Sequence, residues 1–311
     1  MIKISAIICT FRRADYLRHA LRSLCEQTLA VSEFEVIVVD NCGDSETERV
    51  FQEYADGRPN FRYVVEARVG LSNARNTGCQ EARGQYLAYL DDDAAADPRW
   101  LEALLSTFES VGAAAVGGRV WLDWQGQRPR WVPEKHLSLF TFVDHGDAGH
   151  RLKESEYLVG ANIAFEKQAL VAVGGFDSNL GRQGSVLLSG EEAATLELMR
   201  AKSMLVYYEP SALVWHSVIP ARKHPRWLLK RLFWDGASQP LVDRASHRQS
   251  RRSISLSAYR DLRACARWMW HILIAVLKGK KASAWESLLG LSQRAGRLRT
   301  QVRLLAGGDA V

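Results

Sequence analysis

Three consecutive carboxylates, Asp91-Asp92-Asp93, close the apolar run Tyr86 to Leu90. Side by side they repel one another unless a cation neutralises them, and their hard oxygen ligands favour Mg²⁺ or Mn²⁺ over metals that prefer softer ligands. A divalent ion held there with open positions would bind a diphosphate and stabilise it as a leaving group. The alternative is an acidic turn capping the next helix. Asp97-Pro98, however, already offers a cap and a first-turn proline for the helix predicted around Trp100, Leu101, Leu104, Leu105 and Phe108. Two more acidic groups stand out. Asp40 ends the apolar run Phe34 to Val39, and Glu191-Glu192 opens a helix predicted over 191–201, where the positive end of the helix dipole favours ionised carboxylates and both could simply stabilise the first turn. His216 follows Trp215 at the end of a predicted strand, where a lone histidine taken by itself reads as structural.

The elements that must position these residues follow from apolar periodicity. Strands are predicted at Lys3 to Cys9, Phe34 to Val39, Phe61 to Val65 and Tyr86 to Leu90, with helices at Asp15 to Gln27 and, opened by a Ser72 N-cap, at Ser72 to Arg83. This alternation argues for an α/β fold with an open, largely parallel sheet and helices on both faces. In such sheets ligands bind beyond the carboxyl ends of the strands, where both Asp40 and Asp91 to Asp93 fall. Later strands are expected at Ala115 to Trp121, Asn162 to Phe165, Met204 to Tyr208 and Ala212 to Trp215. Between 123 and 150, Trp124, Trp131, Phe140 and Phe142 stand among polar residues, a composition suited to substrate contacts. Beyond Pro220 the alternation gives way to helical patterns, which puts a boundary near 220.

The 311 residues suffice for one large α/β domain and an appendage, with no need of disulfides. Five cysteines, odd in number and without metal-type spacing, read as reduced, buried thiols of a cytoplasmic protein. The opening Met1-Ile2-Lys3-Ile4 runs directly into a strand and leaves no room for a signal peptide, and the run Trp268 to Leu277 is too short to span a membrane.

One ordered set of motifs goes further. Cys9-Thr10-Phe11, Val38-Val39-Asp40-Asn41, Gly70-Leu71-Ser72-Asn73-Ala74-Arg75-Asn76, Tyr89-Leu90-Asp91-Asp92-Asp93, Gly174-Gly175-Phe176-Asp177, Gly190-Glu191-Glu192 and Trp215-His216 occur in this order. Together they resemble the family 2 glycosyltransferases over roughly residues 3–220. The resemblance implies a GT-A fold, a Rossmann-like mixed, mostly parallel sheet flanked by helices, with the basic helical region 221–311 appended. It implies an inverting hexosyl transfer from a nucleoside diphosphate sugar, a UDP-sugar foremost, to a hydroxyl, with Mn²⁺ or Mg²⁺ as cofactor. It sets Thr10, Phe11, Arg13, Asp40, Arg75, Asp91 and Asp92 around the donor, with Asp40 accepting from the base, and Asp93 with His216 on the metal. Glu192 becomes the base and Glu191 its companion; the family's usual Glu-Asp pair is Glu-Glu here. For Arg75 the alternative is an ordinary helix-surface cation. The acceptor implied is a glycan or lipid-linked glycan of surface polysaccharide or lipopolysaccharide assembly.

Charge is unevenly divided. Residues 1–220 hold 22 Lys and Arg against 30 Asp and Glu, residues 221–311 hold 19 against 5. With Trp227, Phe233, Trp234, Trp268 and Trp270 among the basic residues, this tail suits peripheral attachment to an anionic membrane at the cytoplasmic face. Packing of its aromatics onto the catalytic domain is the competing reading. A nucleic-acid-binding protein without transferase activity is the weaker alternative, since it leaves the acidic strand ends unexplained.

Overall fold

The computed structural model describes residues 1–184, 186–246 and 250–307; Ser185, within the Gly181 to Gly190 segment, lies outside them. In chain order the elements begin β1 (Ile4–Thr10), α1 (Ala14–Cys25), β2 (Phe34–Asp40), α2 (Ser45–Ala55), β3 (Phe61–Val65), α3 (Leu71–Glu81), β4 (Tyr86–Asp91), β5 (Ala94–Ala96), α4 (Trp100–Val111) and β6 (Ala115–Asp123). They continue with β7 (His150–Arg151), β8 (Asn162–Glu166), α5 (Lys167–Ala172), α6 (Glu191–Ala201), β9 (Val206–Ser217), α7 (Pro225–Ala245), α8 (Arg251–Leu277) and α9 (Lys281–Leu305). Short 3₁₀ turns cover Glu134–Phe140 and Pro220–Lys223.

One sheet runs in the order β3-β2-β1-β4-β8-β6-β9-β5, with β7 on β9. The first four strands are parallel, whereas β8 lies antiparallel between β4 and β6. Alternation along β1 divides the core: Ile4, Ala6 and Ile8 face α1 and α4, while Ile7 faces the side of α3. Each fully buried Ile or Val here contributes about 1.5–3 kcal/mol.

Three expectations are corrected by the structure. Helix α3 starts at Leu71 with Gly70 at its cap position (φ 144°), and Ser72 lies within its first turn. Helix α4 starts at Trp100, not at Pro98, because Asp97 closes a turn onto the Arg99 and Trp100 amides. The free Leu101 amide of its first turn donates to Gln27 Oε1 at 3.0 Å. The two strands expected from Met204 to Trp215 are one, β9, whose pairing with β6 shifts between Gly118 and Val120. Pro210, which has no N–H, sits in that irregular stretch. Helix α2, which the sequence reading did not anticipate, buries Thr47, Val50 and Phe51 at helical spacing.

The loop before α3 is pinned from below. Asn41 Nδ2 donates to the Glu66 and Arg68 carbonyls at 2.9 and 2.8 Å, and its Oδ1 accepts from the Gly70 amide at 2.7 Å. Glu66 accepts from the Arg68 amide, from its guanidinium and from Thr77 on α3, and these bonds hold its carboxyl down at about 2, against an ordinary 4.5. A lowered folded-state pKa contributes stability above about pH 4.5 that is lost as the pH falls toward about 2. The melting temperature of wild type is therefore expected to exceed that of Glu66→Gln near neutrality and to converge on it through this acid window. A gap that stays constant through the window would contradict this origin.

By packing, residues 1–178 and 195–218 form one compact unit, and 179–194 with 219–311 a second. Within the second, α9 packs on both α7 and α8. Gly236 and Gly296 let α7 and α9 meet closely, since a Cβ at either would lie within 1.9 Å of a backbone oxygen. Trp227, Phe233, Trp234, Trp268 and Trp285 are half-buried, whereas Tyr259 and Trp270 are exposed. The five cysteines form no disulfide; Cys79 and Cys265 are buried and the other three half-buried.

Candidate active site

Sheet register, not sequence proximity, assembles the site in the first unit. Antiparallel pairing of β5 with β9 sets Ala94 opposite His216, and the Ser217 amide donates to the Asp93 carbonyl at 2.9 Å. His216 Nε2 thereby comes within 3.2 Å of Asp93 Oδ1, both side chains almost wholly buried. Asp91, Asp93 and His216 each offer one ligand atom, and these atoms lie within 4.8 Å of one another. That is close to the span of two ligands across an ion with bonds of about 2.1 Å. Two carboxylates and an imidazole fit a hard to borderline divalent cation. The sequence reading paired Asp93 with His216 and set Asp91 beside the donor; the geometry brings Asp91 into the same group.

Asp92, the middle carboxylate, points elsewhere. Thr10 Oγ1 donates to its Oδ2 at 2.8 Å, and Arg13 reaches its Oδ1 at 2.6 Å while the other guanidinium nitrogen reaches Asp93 Oδ2 at 2.7 Å. Thr10 and Arg13, expected around the donor, thus tie the end of β1 to the end of β4. Burial pushes the Asp92 carboxyl up to about 6; Arg13 opposes the rise, and repulsion from Asp93 adds to it. Bridging two carboxylates in this way lets Arg13 offset charge that three adjacent aspartates would otherwise leave uncompensated. Phe11 is half-buried beside them, with the Arg12 guanidinium 5.4 Å from its ring.

Arg75 is not a surface cation: its side chain is 3 % exposed. It points from α3 toward Asp91, with Nη2 3.6 Å from Oδ1, and its guanidinium lies 5.4 Å from the Phe176 ring. Gly160 makes room for it, because a Cβ there would stand 2.0 Å from Nη2. Asn76, one residue on, exchanges two hydrogen bonds with the Phe176 backbone at 2.8 and 2.9 Å, which couples the Gly174-Gly175-Phe176-Asp177 turn to α3. Gly175 at φ 75° is needed in that turn.

Asp40 is the residue expected to accept from the donor's base. Its carboxylate is fully buried and accepts from the Cys42 amide and thiol, the Asp44 amide and Tyr63 Oη, four donors on two oxygens. A carboxylate offers about four lone-pair sites, so a base could bind only by displacing a protein donor. The residue shapes the β2 turn.

Glu191 and Glu192 occupy the first turn of α6, after Gly190 at φ 97°. They fall among residues 179–194 of the second unit, where Arg231 reaches Ser189 Oγ at 3.2 Å. Burial pulls the Arg231 guanidinium down, and the charges of Asp235, Glu192 and Glu191 counter it. The sequence reading counted this arginine only among the basic residues of the tail, and it missed a cavity of about 210 Å³ lined by Asp15, Tyr16, His19, Asp93, Gln125 and Ser217. Asp15 and His19 stand four apart on α1, a helical spacing that was available but carried no motif.

Comparison with known proteins agrees with this architecture. The model of glycosyl transferase family 2 matches residues 5–171. Glucosyl-dolichyl phosphate glucuronosyltransferase of Haloferax volcanii is 32 % identical over 246 residues, 78 % of either chain. Succinoglycan biosynthesis protein ExoM of Rhizobium meliloti is 29 % identical over 74 % of this chain and 71 % of its own. In fold, the chain is similar to a mannosyltransferase of Pyrobaculum calidifontis solved with GDP-Man and Mn²⁺, with a TM-score of 0.60 at 17 % identity, covering 94 % of this chain and 86 % of that one. The chain belongs to glycosyl transferase family 2 and is a glycosyltransferase of GT-A fold.

Proposed function

We propose that this protein catalyses an inverting transfer of a sugar from a nucleoside diphosphate donor, a UDP-sugar foremost, to a hydroxyl of a lipid-linked glycan in surface polysaccharide or lipopolysaccharide assembly. Residues 1–220 carry the chemistry and 221–311 form a basic helical region. The observation that carries the reading is the Asp91, Asp93 and His216 group at the carboxyl rim of the sheet. These three residues would hold Mn²⁺ or Mg²⁺, which supplies Lewis-acid stabilisation of the leaving diphosphate.

The chain's own groups do the rest. Arg13 holds Asp92 and Asp93 in place, and Arg75 directs a buried positive charge toward Asp91 on the donor side. Glu192, in the first turn of α6, accepts the proton of the acceptor hydroxyl as its oxygen attacks the anomeric carbon opposite the diphosphate. Glu191 orients the acceptor. The lipid-linked acceptor is supported by the Haloferax relative, whose name couples glucuronosyl transfer to glucosyl-dolichyl phosphate. Polysaccharide assembly is supported by the name of the Rhizobium relative.

A panel of nucleoside diphosphate sugars, incubated with Mn²⁺ or with EDTA, tests the reading. One donor is expected to be hydrolysed slowly only with metal, and NMR should show the first-formed sugar with the anomeric configuration opposite to the donor's. Retention of configuration, or equal hydrolysis in EDTA, would overturn it.

A further inference from the structure

Helix α8 presents two faces that want different surroundings. Its inner face packs on α9: Asp261 accepts from Arg294 Nη1 at 2.6 Å and Gln301 Nε2 at 3.1 Å, and Gln301 also donates to Ser257 Oγ at 2.9 Å. Its outer face carries Tyr259, Leu262, Met269, Trp270, Leu273 and Leu277, at least 49 % exposed each and Leu277 73 %. They recur at the three- and four-residue spacing and its multiples that make a stripe along an α-helix. Lone exposed apolar side chains are ordinary, but a continuous stripe of this length on one helix calls for a partner.

The charge beside the stripe names that partner. Arg260, Arg263 and Arg267 are exposed on the same helix, and Lys278, Lys280 and Lys281 are exposed where it ends. Asp261, the only acid of α8, is buried against α9 and offers the stripe no negative charge. A second copy seated on this face would set arginines near arginines with no acid of the helix to pair them. Among the described residues no helix is long and apolar enough to cross a membrane. An apolar stripe bordered by basic residues, with a tryptophan exposed within it, fits a helix lying in the headgroup layer of an anionic bilayer.

We propose that the outer face of α8 is a docking surface for an anionic lipid bilayer, with Tyr259, Leu262, Met269, Trp270, Leu273 and Leu277 entering the acyl boundary and Arg260, Arg263 and Arg267 meeting lipid phosphates. The tail's other aromatics are not the anchor, being half-buried in their own unit. This surface stands independently of the transfer chemistry, so its failure would leave that reading intact.

Flotation of the full-length protein on vesicles of phosphatidylglycerol and phosphatidylcholine in equal parts, at low salt, tests it. Wild type is expected to float with these vesicles and to stay below with phosphatidylcholine alone. Trp270→Ser with Leu273→Ser should weaken partitioning at least about tenfold, and Arg260→Glu, Arg263→Glu and Arg267→Glu together by on the order of a hundredfold. Unchanged circular dichroism and melting, expected for exposed positions, show that the variants remain folded. Wild type that fails to float, variants that float equally well, or a dimer by light scattering that dissociates only in Trp270→Ser with Leu273→Ser would each overturn the proposal, the last by making a second copy the occupant.

Discussion

Asp93→Ala is expected to lower metal-dependent turnover by about a thousandfold, equivalent to several kcal/mol of lost stabilisation of the leaving diphosphate. Asp93 is the hub of the site. One of its oxygens lies 3.2 Å from His216 Nε2, and the other receives Arg13 at 2.7 Å. Removing the carboxylate takes a ligand from the group of three and leaves Arg13 with Asp92 alone. Breaking a buried ion pair costs up to about 3–5 kcal/mol of stability, so part of a loss in activity could come from unfolding. Asp93→Asn separates the two effects, since it keeps volume and one oxygen while removing the charge. Its melting temperature should fall less than that of Asp93→Ala, and its turnover should fall nearly as far. Donor titration by calorimetry should show the Mn²⁺ dependence of binding abolished in both. Normal metal-dependent turnover by folded Asp93→Asn would remove the metal role from this residue.

Glu192→Gln is expected to behave differently, keeping metal-dependent donor binding while losing turnover on the order of 10² to 10⁴-fold, the range of a general base. Glutamine keeps the shape and an acceptor oxygen at the start of α6 but cannot take a proton at neutral pH. The informative comparison is kcat against donor affinity. A variant that loses donor affinity and keeps kcat would assign Glu192 to donor binding. Glu191→Gln provides the internal control, with a smaller loss expected in kcat than in acceptor KM.

How far the sequence led differs element by element. The span Phe61 to Val65 and the helix 191–201 were read to the residue, because apolar runs bounded by turn formers carry their own boundaries. Boundaries set by a distant partner were not legible: Gln27 satisfies the first turn of α4 from across the fold, and the register with β6 keeps β9 a single strand across Pro210. The same division runs through the site. The acidic strand ends were visible as residue types, whereas His216 was singled out only by the family resemblance, a lone strand-end histidine reading as structural. The Arg13 fork on two aspartates and the four donors on Asp40 depend on side-chain directions that no local pattern encodes. Arg75 is the instructive case: an arginine on a helix reads as solvated, and it is buried because residues far off in sequence, Gly160, Asp91 and Phe176, give it room and partners.

The most direct test of the central claim is a Mn²⁺ titration followed by electron paramagnetic resonance of the free ion, in the presence of UDP or GDP, on wild type, Asp93→Asn and His216→Ala. Wild type should deplete free Mn²⁺ stoichiometrically beyond what the nucleotide alone removes, and both variants should give no more than the nucleotide-only depletion while remaining folded. Equal depletion by all three proteins, or nucleotide binding that is unchanged in EDTA, would contradict a metal-dependent donor site at Asp91, Asp93 and His216.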